Sequence, residues 1–255
     1  MRLDKLIADC GYGTRSEVKG LLKSGAVTVN GEIVKDPGRK VDAEKDVVLC
    51  RGEAVTYSDF EYYMLYKPAG IITASRDTKE KTVVDLIKSK RRRDLSPVGR
   101  LDRDTEGLLL ITNDGQLAHK LLAPGKHVDK VYLAVISGDL PEVIIEWFNT
   151  GIDIGDETLT KPAVLKVFAT PEEAGDDRII EKYKMLANSG ELHYNTVCVT
   201  LTEGRYHEIK RMFGAYGCTV EYLKRISMGG MELDTELAPG DYKEISQEEI
   251  NKVFL

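Results

Sequence analysis

The sequence predicts an α+β protein in two parts, a small N-terminal module followed by a larger unit built on a largely antiparallel sheet. Strand-length apolar runs and helical stretches follow one another without the regular alternation that a doubly wound parallel sheet requires. The first 50 or so residues carry their own helix and hairpin signals, and the length of 255 residues exceeds that of a typical single domain. The expected division is residues 1–58 and 59–255.

In the N-terminal part, Leu3, Leu6 and Ile7 fall at helical spacing, and Gly11-Tyr12-Gly13 breaks that helix. Thr14-Arg15-Ser16-Glu17 fits a capping box, in which the Thr14 hydroxyl and Glu17 carboxylate take up free amides at the start of a second helix. Val18, Leu21 and Leu22 give its buried stripe, and Gly25 suits the left-handed residue that ends it. Asn30-Gly31 between Val27-Thr28-Val29 and Ile33-Val34 is a hairpin signal, because the tight turn needs positive φ at both central residues. Val47-Val48-Leu49 supplies another strand. So small a unit buries little surface alone, which suits a recognition module tethered by the polar stretch 54–61.

Further on, residues 62–66 form an apolar strand that Pro68 stops. Thr82-Val83-Val84-Asp85 opens an amphipathic helix predicted to run to about Lys90. Arg91-Arg92-Arg93 then complements the negative end of the helix dipole and is able to grip phosphate. Strands are predicted at residues 108–112, 131–136, 163–168 and 196–201. The acidic stretch 170–190 lacks clear periodicity and reads as a surface excursion.

A formal charge of −6 argues at first against a nucleic-acid partner. The charge is segregated, however. Residues 67–103 hold 11 Lys/Arg against 5 Asp/Glu and residues 204–225 hold 5 against 2, whereas residues 139–195 hold 5 against 12. A basic cleft on an acidic body is the expectation. Cys10, Cys50, Cys198 and Cys218 lack metal-ligand spacing, and the four histidines show none with them, so a reduced, metal-free cytoplasmic protein is expected. Met1-Arg2-Leu3-Asp4-Lys5 lacks an apolar signal core, and no run of about 18 apolar residues suggests a membrane span.

The most informative stretch is Gly99-Arg100-Leu101-Asp102-Arg103-Asp104-Thr105-Glu106-Gly107, which leads into Leu108-Leu109-Leu110-Ile111. Carboxylates and guanidinium groups packed before a core strand are costly unless paired, and such pairing often marks a reactive site. Asp102 is the candidate nucleophile. Downstream, Ile209, Met212, Phe213 and Tyr216 mark the buried face of a helix, while His207, Lys210 and Arg211 share another face. A strand ending at Leu201 delivers Arg205 and Lys210 near the sheet edge, where one of them is expected to pair with Asp102. Taken singly, each of these residues also fits a solvated loop or helix face, and Tyr132 fits the core.

Together the motifs resemble a known family. Tyr63-Met64-Leu65-Tyr66-Lys67-Pro68, Gly99-Arg100-Leu101-Asp102 with Thr105 and Gly107-Leu108, Lys130-Val131-Tyr132, and Glu203-Gly204-Arg205-Tyr206-His207 with Lys210-Arg211-Met212-Phe213 resemble RsuA-type pseudouridine synthases. The N-terminal module resembles the S4-type RNA-binding fold, which implies that Arg15, Lys19 and Lys23 face RNA. Tyr206-His207, Gly229-Gly230 and Leu237-Ala238-Pro239-Gly240 are most similar to enzymes of small-subunit (16S) ribosomal RNA; large-subunit relatives usually carry an asparagine-arginine pair at the first of these. The resemblance implies isomerisation of a uridine without cofactor. Asp102 is then the catalytic carboxylate, Tyr132 lies under the uracil, and Lys210 pairs with the aspartate. Arg100 takes the place vacated by the flipped base, and Arg205, His207 and Arg211 belong to the RNA-binding set. A monomer working on ribosomal RNA or its assembly intermediate is expected by the same analogy.

Two other readings compete. A non-catalytic assembly factor would use the same basic cleft only to hold RNA. A metal-dependent transferase or nuclease would use Asp102-Arg103-Asp104 as a cation site, and chelation would then abolish activity.

Overall fold

The structure is a computed structural model describing residues 1–43, 45–55, 60–88, 93–123, 128–189 and 192–255. In the N-terminal module, α1 (Leu3–Asp9) packs on α2 (Arg15–Lys23) over a sheet of β1 (Val27–Val29), β2 (Glu32–Ile33), β3 (Val48–Cys50) and β4 (Glu53–Ala54). The capping box forms: Thr14 N–H donates to Glu17 Oε2 at 2.6 Å, and Glu17 N–H to Thr14 Oγ1 at 3.3 Å. At the other end of α2, Gly25 at φ +77° lets its own N–H reach Leu22 O and the Ala26 N–H reach Leu21 O, closing the helix as expected. Asn30 and Gly31 have φ +52° and +85°, as the hairpin requires. Leu3, Leu6, Ile7, Val18, Leu22, Val27 and Val29 form a core separate from that of the larger unit. Arg15, Lys19 and Lys23 are exposed along α2.

The larger unit begins with β5 (Tyr62–Lys67), α3 (Val83–Leu86), β6 (Ser96–Pro97), β7 (Glu106–Thr112), α4 (Gly115–Leu122), β8 (Lys130–Ser137), α5 (Ile144–Thr150) and β9 (Val164–Val167). It continues through α6 (Asp177–Ala187), β10 (Tyr194–Leu201), α7 (Glu208–Gly214), β11 (Thr219–Met228), β12 (Met231–Glu232), β13 (Tyr242–Glu244) and α8 (Gln247–Asn251). Among the described residues its sheet has the order β13-β5-β7-β11-β8-β10-β9, with β12 on β11 and β6 on β7. Its pairs are antiparallel except β11 with β7, where Lys224 lies opposite Glu106 and Arg225 opposite Gly107. That parallel contact requires glycine. A Cβ on Gly107, at φ +107°, would stand 2.2 Å from Arg225 O.

Three expectations change. The helix opened by Thr82 ends at Leu86, because Ile87 is already extended and fully buried in the core. Residues 89–92, and with them Arg91 and Arg92, lie outside the described residues. Arg93 Nη2 donates to Gly11 O at 2.5 Å and so joins the larger unit to the N-terminal module. The acidic excursion at 170–190 contains a defined helix, α6, capped by Asp176, whose carboxylate accepts from Ile179 N–H at 3.1 Å. Ile179 is fully buried and Ile180, Tyr183 and Leu186 pack on the same apolar cluster at helical spacing, a signal that the acidic composition of the stretch masked; polar ties also hold the helix. Arg178 Nη2 reaches Glu106 Oε1 at 3.4 Å, Lys224 Nζ donates to Asp176 Oδ2 at 2.6 Å, and Tyr222 donates to Glu106 Oε2 at 2.8 Å. Finally, β11, which the sequence reading passed over, is the longest strand among the described residues and sits mid-sheet between β7 and β8.

Candidate active site

Residues 99–105 form the loop before β7, and the core grips it from beneath. Lys67 is fully buried and donates through Nζ to Pro68 O, Arg103 O and Thr105 O at 3.0, 3.1 and 2.8 Å. Burial brings this ammonium down to about 8, against the raising influence of Asp104, Glu106 and Asp102. Thr73 Oγ1 donates to Leu101 O at 2.6 Å, and Gly70 N–H to Arg103 O at 2.7 Å. The backbone carrying Asp102 is thus anchored on both sides.

Opposite the loop, β10 leads to residues 203–207 and then α7. Ile209, Met212 and Phe213 are buried as predicted, and Tyr216 stacks on Trp147 at 4.2 Å. The polar face of α7 meets the aspartate loop. Lys210 Nζ lies 3.2 Å from Asp102 Oδ2 and 2.6 Å from Asp104 Oδ1, and His207 Nε2 stands 3.6 Å from Asp102 Oδ1. Partial burial works against the Lys210 charge, but the two carboxylates outweigh it and raise its pKa. For Asp104 burial pulls upward, yet the Lys210 hydrogen bond and charge win and lower it. Both carboxylates of Asp102-Arg103-Asp104 converge on one ammonium. Arg103 turns away to Glu80 Oε1 at 3.0 Å and Gly70 O.

Of the two cations expected near Asp102, Lys210 is the one that meets it. Arg205 binds Glu203 at 3.2 Å, Asp156 at 3.4 Å, and the carbonyls of Thr158 and Leu159. Arg211 binds Asp156 Oδ1 at 2.5 Å, Ile154 O and Tyr206 O. The two guanidinium groups therefore clamp the loop after α5. Arg100, Asp102, Tyr132, His207, Glu208 and Lys210 line one cleft, with Leu201 and Leu223 as apolar wall. Tyr132 lies on β8, across from Val199 and Arg225.

Sequence reasoning did not single out Lys67 or Glu208. Glu208 is 4% exposed, and its Oε2 accepts from Arg205 N–H at 2.9 Å. Oε1 is buried and accepts no hydrogen bond among the described residues, while the protonated carboxyl shares a hydrogen bond with Glu203. Burial first, and the neighbouring Glu203 second, push this carboxyl up to about 7, against the Arg205 contacts that lower it.

A carboxylate held against an ammonium, beside a buried tyrosine in a cleft with an apolar wall, is able to act as nucleophile or base toward a bound substrate. The comparisons define the class. The chain belongs to the RNA pseudouridylate synthase family, matched over residues 61–215, and carries an S4 domain, matched over residues 1–48. It is 44% identical over 253 residues to the uncharacterized RNA pseudouridine synthase YtzG of Bacillus subtilis, covering 98% of this chain and 97% of that protein. It is 36% identical over 254 residues to ribosomal small subunit pseudouridine synthase A of Escherichia coli, covering 99% and 100%. A solved structure titled as pseudouridylate synthase superposes with a TM-score of 0.63 at 34% identity, over 99% of both chains.

Proposed function

We propose that this pseudouridine synthase isomerises one uridine of small-subunit ribosomal RNA. The supporting observation is the Asp102–Lys210 pair at 3.2 Å in a cleft that also contains Tyr132. In the reaction the bond between C1′ and N1 breaks, the base turns, a bond forms between C1′ and C5, and the proton of C5 is exchanged for one on N1. Nothing is oxidised and no outside group is consumed. Asp102 acts at the sugar, either as nucleophile or as base, and Lys210 orients it. Tyr132 underlies the uracil and serves the removal of the C5 proton.

A stacked uridine is out of reach, so it is flipped from the RNA at a cost of a few kcal/mol. The exposed Arg100, at the rim of the cleft, fills the place it leaves. His207 meets the RNA beside the target, and Arg205 and Arg211 shape the rim from positions fixed by Asp156. Residues 1–58, with Arg15, Lys19 and Lys23 exposed on α2, form the second RNA-binding unit, and residues 59–255 the catalytic one. On this reading the chain works as a cytoplasmic monomer. Among the described residues no helix is long and apolar enough to cross a membrane.

The test is to incubate the protein, with EDTA present, with unmodified small-subunit ribosomal RNA, bare and partly assembled. Pseudouridine is then mapped by carbodiimide-dependent reverse-transcription stops. One new stop that disappears with Asp102→Asn, while RNA affinity persists, is expected. Tight binding without any stop would leave an RNA-holding assembly factor, and a stop lost on chelation would bring back the cation reading.

A further inference from the structure

Beside the reaction cleft lies a second, open cavity of about 420 Å³, walled by Asp153, Ile154, His207, Lys210, Arg211, Gly214 and Ala215. His207 and Lys210 line the cleft as well, so two side chains divide the spaces. We infer that this cavity is a subsite for the nucleobase next to the target uridine, packed against His207 and read at its edge by Asp153. The inference rests on the pseudouridine synthase reading, since a uridine at Asp102 is what fixes where its neighbour lies.

Unpaired RNA bases are recognised by stacking on rings and by hydrogen bonds at their edges. The cavity offers both. His207 has φ +50°, a left-handed conformation that a non-glycine residue keeps only where its surroundings enforce it. They do so here. Arg211 N–H donates to His207 O at 2.9 Å, and Tyr206 stacks on the imidazole at 3.8 Å and 17°. Tyr206 is 75% exposed, so the pair stands at the rim as a preformed aromatic surface.

The far wall is small and open. A Cβ added to Gly214 meets nothing within 4 Å, and its φ is ordinary. Asp153 accepts from Gly155 N–H through Oδ1 at 2.8 Å, while Oδ2 makes no hydrogen bond among the described residues. A free carboxylate oxygen repels phosphate and accepts from amino groups. Guanine, adenine or cytosine therefore suits this wall. Uracil suits Asp153 less, because its one edge N–H is flanked by carbonyls, and the Lys210 and Arg211 donors on the same walls are already held by Asp102, Asp104 and Asp156.

Because a Cβ at Gly214 meets nothing within 4 Å and its backbone is helical, Gly214→Leu puts an apolar side chain into the cavity without backbone strain. Affinity is measured on short oligonucleotides of small-subunit ribosomal RNA spanning the mapped uridine, with the nucleotide on either side intact or abasic. The wild-type chain should lose about tenfold on one of the two abasic RNAs. Gly214→Leu should lose about the same on intact RNA and nothing further on that abasic RNA. Asp153→Asn should shift the preference at that position toward uracil. Wild-type affinity of Gly214→Leu for intact RNA, or a further tenfold loss on the abasic RNA, overturns the subsite. Pseudouridine formed by the wild-type chain is scored in the same reactions and reports on the chemistry separately from these affinities.

Discussion

Replacing Glu208 by glutamine should stabilise the protein, and increasingly so as the pH rises. In the folded chain this carboxyl lies at about 7 against 4.5 for the unperturbed group, chiefly because burial disfavours the ion. Below pH 4.5 both folded and unfolded chains carry the proton and no difference arises. Between the two values the folded chain holds a proton that the unfolded chain has released, so wild-type stability falls as pH rises; above 7 the loss is complete. A gap of about 2.5 units corresponds to roughly 3 kcal/mol at pH 8 and about 1 kcal/mol at pH 5. Glutamine cannot ionise and still offers an oxygen to Arg205 N–H. Urea denaturation of both proteins from pH 5 to pH 8 should show the variant's advantage growing by about 2 kcal/mol. A constant difference across this range, or a less stable variant at pH 8, would refute the reasoning.

Other perturbations test the scaffold around the site. Lys67→Met removes the buried donor shared by three carbonyls; about 3 kcal/mol should be lost in urea denaturation, with turnover falling as the aspartate loop loosens. Gly107→Ala brings a methyl group to 2.2 Å from Arg225 O and should cost at least about 4 kcal/mol or prevent folding, read by circular dichroism and soluble yield. A chain starting at residue 59 should keep its thermal transition yet bind its RNA more weakly and with less dependence on salt. Equal affinity would give the N-terminal module another role.

Local chemistry made part of this structure legible in advance. Thr14 with Glu17, Gly25, and Asn30 with Gly31 act within a few residues of themselves, and each does what its sequence context demands. The apolar runs of β5, β7, β8 and β10 were equally plain. Strand β11 was hidden because Lys224 and Arg225 interrupt its pattern, along with two register shifts. Both are buried, and the groups that make this tolerable, Asp176 and Leu108 O, lie 48 and 117 residues away. Helix α6 had a readable stripe in Ile179, Tyr183 and Leu186 that its acidic surroundings masked, while the partner of Arg178, Glu106, is remote in sequence. In the site, the spacing of His207, Lys210 and Arg211 announced a shared face. The resemblance implied the Lys210–Asp102 pair; only the fold could show that Asp104 shares that ammonium while Arg205 and Arg211 turn to Asp156.

That last arrangement bears on how RNA is drawn in. Neutralising phosphates releases condensed counterions, and each such contact steepens the dependence of affinity on salt. Around the reaction cleft Lys210, Arg205 and Arg211 already face Asp102, Asp104, Asp156 and Glu203, so they have little charge left with which to displace ions from a backbone. The ionic strength sensitivity of the complex should then come mainly from cations such as Arg100 at the cleft rim and the exposed cations of α2, with Lys210, Arg205 and Arg211 adding little to it.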